Sequence, residues 1–149
     1  MNPIIPLNLP RTDLELFRQD GRIFVICLIR KKKILLTPEE WVRQHFIAYL
    51  HNHCGYSIEK IALEKSIQYG KIRKRWDVVV YDEHFMPYIL IECKAPHIPI
   101  SKETLYQALS YRKEMKTRYI GLTNGLNHVY YEINETEISF QEIENLPRH

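Results

Sequence analysis

The chain carries three cysteines, Cys27, Cys54 and Cys93, an odd number spread far apart. No Cys-x-x-Cys pair occurs, which argues against a disulfide framework and against a zinc ribbon or finger. Long hydrophobic runs are also missing. Residues 23–29 are apolar, but a bilayer-spanning helix needs about 20 such residues, and no charged start followed by an apolar core marks a secretion signal. No Gly-x-x-x-x-Gly-Lys-Ser/Thr is present, so the chain holds no P-loop motor. Five glycines and eight prolines in 149 residues are too few for a disordered or fibrous chain. Neither repeats nor low-complexity stretches appear. These absences leave a cytoplasmic globular domain away from membranes, and the length fits one domain.

What is present begins with charge. Residues 1–75 hold 14 Lys/Arg against 7 Asp/Glu, whereas residues 76–149 hold 7 against 11. A basic half joined to an acidic half suits a protein that meets a polyanion and holds a cation, and it equally suits a charged surface of no function.

Residues 75–96 are the centre of the chain. Two apolar β-like runs, 76–81 and 88–93, flank a loop with turn formers at both ends, which reads as a hairpin. With Tyr81 opposite Tyr88, Asp77 falls opposite Glu92, and directly paired side chains have Cβ atoms about 4.5–5.5 Å apart. Residues two apart on a strand share a face, so Lys94 projects beside Glu92, about 6.6 Å along. Two carboxylates set this close among Val, Ile and Leu must share a proton or hold a cation between them. Oxygen ligands suit Mg²⁺ or Mn²⁺. The plain alternative is a surface charge cluster in which Lys94 neutralises Glu92.

Elsewhere the reading is structural. Prolines 3, 6 and 10 make residues 1–22 an irregular N-terminal arm, with a short helix over 12–18. A strand follows over 22–30, then a basic turn at residues 30–33 and a short strand at 34–36. Thr37, Pro38 and Glu40 predict a helix start with a capping box, and Gly55 a stop after residue 53. Val42, Phe46, Tyr49 and Leu50 mark its buried face. Glu39 lies near the middle of that face and Glu40 points away to serve the cap. His51-Asn52-His53 spells HNH, but a tripeptide at a helix end is not an HNH nuclease unit. Residues 61–69 read as a strand. Lys71, Arg73, Lys74 and Arg75 then form a basic cluster leading into Asp77, which either contacts phosphate or is a solvated hairpin tip. Ser101 caps a second helix to about residue 117, with Leu105, Ala108, Leu109 and Met115 inward and Gln107 and Tyr111 on one flank. Strands at 118–123 and 127–133 surround Asn124-Gly125, and a short strand sits at 137–140. The order α-β-β-β-α-β-β predicts an α/β (α+β) domain with a mixed sheet flanked by helices.

Asp77, then fourteen intervening residues, then Glu92-Cys93-Lys94, resembles the core motif of the PD-(D/E)XK nuclease superfamily. Residues 37–44 (Thr-Pro-Glu-Glu-Trp-Val-Arg-Gln), the strand-like 62–68, Gln107-x-x-x-Tyr111 and Leu122-Thr-Asn-Gly125 follow in the order of the N-terminal domain of type I restriction enzyme R subunits. The resemblance covers residues 33–133, and Trp76 stands where the motif's name places proline. It implies a restriction-endonuclease-like fold and a Mg²⁺-dependent deoxyribonuclease of a restriction-modification system. Asp77, Glu92 and the carbonyl of Cys93 would then hold the metal, and Lys94 would act on the attacking water or the transition state. Gln107 and Glu39, the latter as a third carboxylate preferred to Glu40, would support the site, and Tyr111 would lie beside it as a DNA contact. The expected partners are DNA, with a helicase motor and specificity or methylation subunits in a larger complex. A catalytically silent DNA-binding or assembly module is the alternative.

Overall fold

A computed structural model of the chain describes residues 2–63, 66–69, 72–134 and 139–149, and at 66–69, 72–75 and 114 the backbone alone. The chain opens with three antiparallel strands, β1 (Leu16–Gln19), β2 (Arg22–Ile26) and β3 (Lys33–Leu35). The short helix expected over 12–18 is therefore a strand. Asp20 and Gly21 both have positive φ, 52° and 74°, and join Gln19 directly to Arg22. A two-residue hairpin of this kind needs positive φ at both central positions, which Asp-Gly supplies. The strand expected over 22–30 ends at Ile26. There the chain turns, with Lys31 N–H donating to the Cys27 carbonyl and Cys27 N–H to the Lys32 carbonyl, each at 2.9 Å.

Helix α1 (Pro38–Asn52) starts as its sequence dictates, Thr37 Oγ1 accepting the Glu40 N–H at 3.1 Å. Glu40 itself does not return to the cap. Its two oxygens accept from Arg43 Nη1 at 2.6 Å and Gln44 Nε2 at 2.9 Å, because an Arg three residues on offers a charged donor that a backbone amide cannot match.

The main sheet has six strands in the order β11 (Ser139–Ile143), β10 (His128–Asn134), β9 (Tyr119–Thr123), β8 (Pro87–Cys93), β7 (Val78–Tyr81) and β4 (Ile61–Leu63). All neighbours are antiparallel except β8 and β9, which run parallel on either side of helix α2 (Lys102–Met115). The strand expected over 61–69 is thus two. Its first part is β4; its second, β5 (Ser66–Tyr69), pairs with β6 (Ile72–Arg75) in a separate ribbon. The basic cluster lies partly on β6. Lys71 is outside the described residues, as are the side chains of Arg73, Lys74 and Arg75.

The inner hairpin register is the expected one: Val78 pairs with Ile91, Val79 with Leu90 and Val80 with Ile89. At the loop end it differs, for a bulge puts Tyr81 opposite Pro87, not Tyr88. Asp82 causes this by closing the loop early. Its N–H donates to the Met86 carbonyl at 2.9 Å, and its Oδ1 accepts from the His84 and Met86 amides at 2.9 and 3.0 Å.

Successive residues of β7 and β8 point to opposite cores. Val78, Val80, Ile89 and Ile91 pack under α1 with Val42, Phe46, Ile47 and Leu50. Val79 and Leu90 pack under α2 with Leu105, Ala108, Tyr111, Ile120 and Leu122. A strand buried on both faces reads as an unbroken apolar run, which explains residues 78–80 and 89–91. Each such side chain contributes about 1.5–3 kcal/mol when fully buried, so the central hairpin is the most firmly held part of the sheet. The N-terminal arm docks beside it. Trp41 Nε1 donates to the Ile5 carbonyl at 2.9 Å and Asn8 N–H to the Gly125 carbonyl at 2.8 Å. Gly125, at φ 85°, permits this approach, since a Cβ there would meet Leu7 Cδ2 at 2.8 Å. Among the described residues, no helix is long and apolar enough to cross a membrane.

Candidate functional site

Asp77 stands one residue before β7 and Glu92 one before the end of β8. A cleft of about 160 Å³ brings them together with Glu39, Arg43, Trp76, Cys93 and Lys94. The two acids and Lys94 therefore share one site, as the hairpin register implied. Glu39 reaches it from the first turn of α1, while Glu40 lies behind, on Arg43.

Both core acids are buried, Asp77 at 7 % exposure and Glu92 at 4 %, and their surroundings differ. Asp77 Oδ2 accepts the Cys93 N–H at 2.8 Å, and its Oδ1 accepts Arg43 Nε in a close ion pair. Burial pushes the Asp77 carboxyl up, opposed by the Arg43 guanidinium and then by the Cys93 amide. Arg43 has the mirror situation: burial works against its charge, but Asp77 and Glu40 outweigh it and its pKa rises. Glu92 has less support. Its Oε1 is buried without a hydrogen-bond partner. Burial first, and the facing Asp77 second, push its carboxyl up to about 8, with Lys94 pulling the other way. The Cys93 thiol, 2 % exposed in the core under α1, is pushed well above its ordinary value by burial and then by Asp77. Its side chain packs in the core under α1, and its main-chain N–H meets Asp77 in the cleft.

Among the described residues, no three His, Cys, Asp or Glu side chains converge as a ready-made metal cage. The donor set still fits a hard cation. An orphaned buried carboxylate oxygen on Glu92 lies in one cleft with Asp77 and the partly exposed Glu39, all oxygen donors of the kind Mg²⁺ takes.

The other expected residues lie elsewhere. Gln107 is exposed on α2 and does not line the cleft; its Nε2 donates to the Tyr111 hydroxyl at 2.8 Å. Tyr111 is buried in the core under α2 at 6 % exposure, not on a surface that a duplex could lie against. Arg43 is the residue that sequence reading missed. Its signal was present: Arg43 lies four residues after Glu39 and three after Glu40, the two spacings that make side chains neighbours on a helix surface.

A family model for the type I restriction enzyme R protein N terminus (HSDR_N) matches residues 38–147. The chain belongs to this family. Its sheet is mixed and flanked by helices, the restriction-endonuclease-like fold expected from the sequence. The backbone is similar to a fragment assigned to an HsdR subunit of a type I restriction enzyme from Vibrio vulnificus YJ016. The TM-score is 0.52 at 18% identity, over 74% of this chain and 23% of that one. At that identity the likeness concerns the fold, and this chain spans about a quarter of that chain's length. No curated protein matches. The region matched by the family model contains every cleft residue.

Proposed function

We propose that this HSDR_N domain is a metal-dependent DNA endonuclease of the PD-(D/E)XK type, hydrolysing phosphodiester bonds for a type I restriction complex. The observation that carries the proposal is the unpartnered buried oxygen of Glu92, set in one cleft with Asp77 and Lys94. A carboxylate is not left in that condition without cost, and a cation is the partner that suits it.

Asp77, Glu92 and the Cys93 carbonyl would hold Mg²⁺ or Mn²⁺. When bound, the ion would supply a Lewis acid for a phosphate oxygen and would draw the pKa of a bound water down toward neutrality. The protein's own groups do the rest. The Cys93 amide and Arg43 fix the Asp77 carboxylate, so it needs no reorganisation when the substrate arrives. Lys94 stands beside Glu92 and offers a positive charge to the transferring phosphate or orients the attacking water. Glu39, partly exposed at the mouth, is placed to hold a second water. Gln107 is assigned no phosphate contact; through Tyr111 it orders α2 beside the sheet. The basic residues Lys71, Arg73, Lys74 and Arg75 precede Asp77 in the chain and are proposed to meet the DNA backbone. DNA is the substrate, and a motor and specificity subunits are the proposed partners.

A second reading is favoured by one observation: Asp77 already has both oxygens engaged, by Arg43 and the Cys93 amide. That suits a silent DNA-binding or assembly module. Calorimetric titration with Mn²⁺, paired with a plasmid-nicking assay, separates the readings. The nuclease binds Mn²⁺ and nicks DNA, and Lys94→Ala lowers nicking by about 100-fold or more, the usual loss when one transition-state donor is removed. Equal nicking by that variant rejects the assignment, and absence of Mn²⁺ binding by the unaltered protein favours the silent module.

A further inference from the structure

We infer that Arg43 takes the place and charge of a second divalent ion, so that the cleft accepts one such ion and not two. This rests on the reading of the cleft as a divalent-ion site.

Arg43 is 5 % exposed, and its guanidinium joins three carboxylates from two parts of the fold: Asp77 before β7, Glu39 at 2.9 Å and Glu40 at 2.6 Å on α1. Those three with Glu92 make four acids in and beside the cleft, and Arg43 with Lys94 supplies two fixed cations. Fully ionised, the group is left with two negative charges, which one divalent ion balances. A second ion would reverse the sign of a largely buried cluster, which is costly where water cannot screen it.

The geometry leads to the same count. Two-metal sites hold their ions about 3.5–4 Å apart on shared carboxylates. Here the carboxylates on the α1 side are already bridged by one planar cation whose several N–H groups point in fixed directions. Arg43 Nε, Nη1 and Nη2 each take a different acid. On the opposite side, Glu92 Oε1 is the buried acceptor left open. The ion's place is therefore on the Glu92 side, with Arg43 filling the other.

Mn²⁺ titration followed by calorimetry and by electron paramagnetic resonance tests this without reference to cleavage. The unaltered protein is expected to bind a single Mn²⁺ with an uncoupled spectrum. Arg43→Met, which keeps bulk and removes charge, is expected to bind two with spin–spin coupling between them. Two coupled ions in the unaltered protein overturn the inference, as does a single ion in a folded Arg43→Met. If Arg43→Met folds only when Mn²⁺ is supplied, that rescue with two ions bound supports it. If the variant folds under neither condition, the count in the unaltered protein decides. No Mn²⁺ bound by the unaltered protein overturns the inference too, and does so by rejecting the metal reading of the cleft itself.

Discussion

The two long helices make an instructive pair. Both begin on a hydroxyl cap, Thr37 for α1 and Ser101 for α2, and each covers one face of the same hairpin. Beneath α2 the contact is mostly apolar, with Thr104 buried among it and the Gln107–Tyr111 bond at its flank. Beneath α1, Arg43, Gln44 and His45 are buried alongside Phe46 and Ile47. Two helices with the same architectural task thus differ in what they bring to the sheet. The polar one adds nothing a hydrophobic helix could not supply for stability, and it reaches the cleft. The buried charge that reaches the cleft, Arg43 on α1, is therefore the mark of the working side.

The sharpest way to break this contrast is to strand one partner of the buried pair. Asp77→Ala leaves the Arg43 guanidinium without its deepest carboxylate, and breaking a buried pair costs about 3–5 kcal/mol. Chemical denaturation of the metal-free protein should show that loss. The double variant Asp77→Leu with Arg43→Met should recover most of it, since an apolar pair of similar volume is often neutral or better. A double variant no more stable than Asp77→Ala alone would mean that the charges hold the fold together, and the contrast between the faces would collapse. A smaller effect sharpens the other side. Tyr111→Phe removes only the hydroxyl that accepts from Gln107, so about 1 kcal/mol of stability is expected to go, with Mn²⁺ affinity unmoved. A tenfold fall in affinity would bring α2 into the site after all.

The smallest effect concerns pH. His45 on α1 is pushed below its ordinary value near 6.5 by burial, with its bond to the Trp41 carbonyl opposing. A folded-state pKa below the unfolded one means the folded protein binds the proton less readily. Its contribution is present above about 6.5 and lost as pH falls through the folded value. His45→Gln should flatten the fall in melting temperature below that pH. An unchanged slope would show that His45 does not titrate on its own.

Much of this was legible in the sequence, and what was not has physical reasons. The facing of Asp77 and Glu92 followed from counting back from a loop, because pairing in a hairpin advances one residue on each strand. The count failed only at Tyr81, where Asp82 makes side-chain bonds that no periodicity records. Both helix starts could be read because a cap is a local event. The strand at Leu16–Gln19 was missed although Asp20-Gly21 announces a tight hairpin, the neighbouring prolines having suggested irregular chain. Residues 61–69 misled because one run of β-forming residues can supply two sheets. Arg43 was hidden for a different reason. A charged residue on a helix normally signals solvent, and only the tertiary arrangement shows that this one ends among acids.

The Cys93 amide that holds Asp77 has a consequence for how such a domain can diverge. The anchor belongs to the main chain, so no exchange of side chain at position 93 removes it, short of proline. Drift at the middle residue of Glu-x-Lys is restrained by the volume available under α1 and not by the acid across the hairpin. A lineage could rewrite that letter among small apolar residues many times over while the neighbouring aspartate kept its seat.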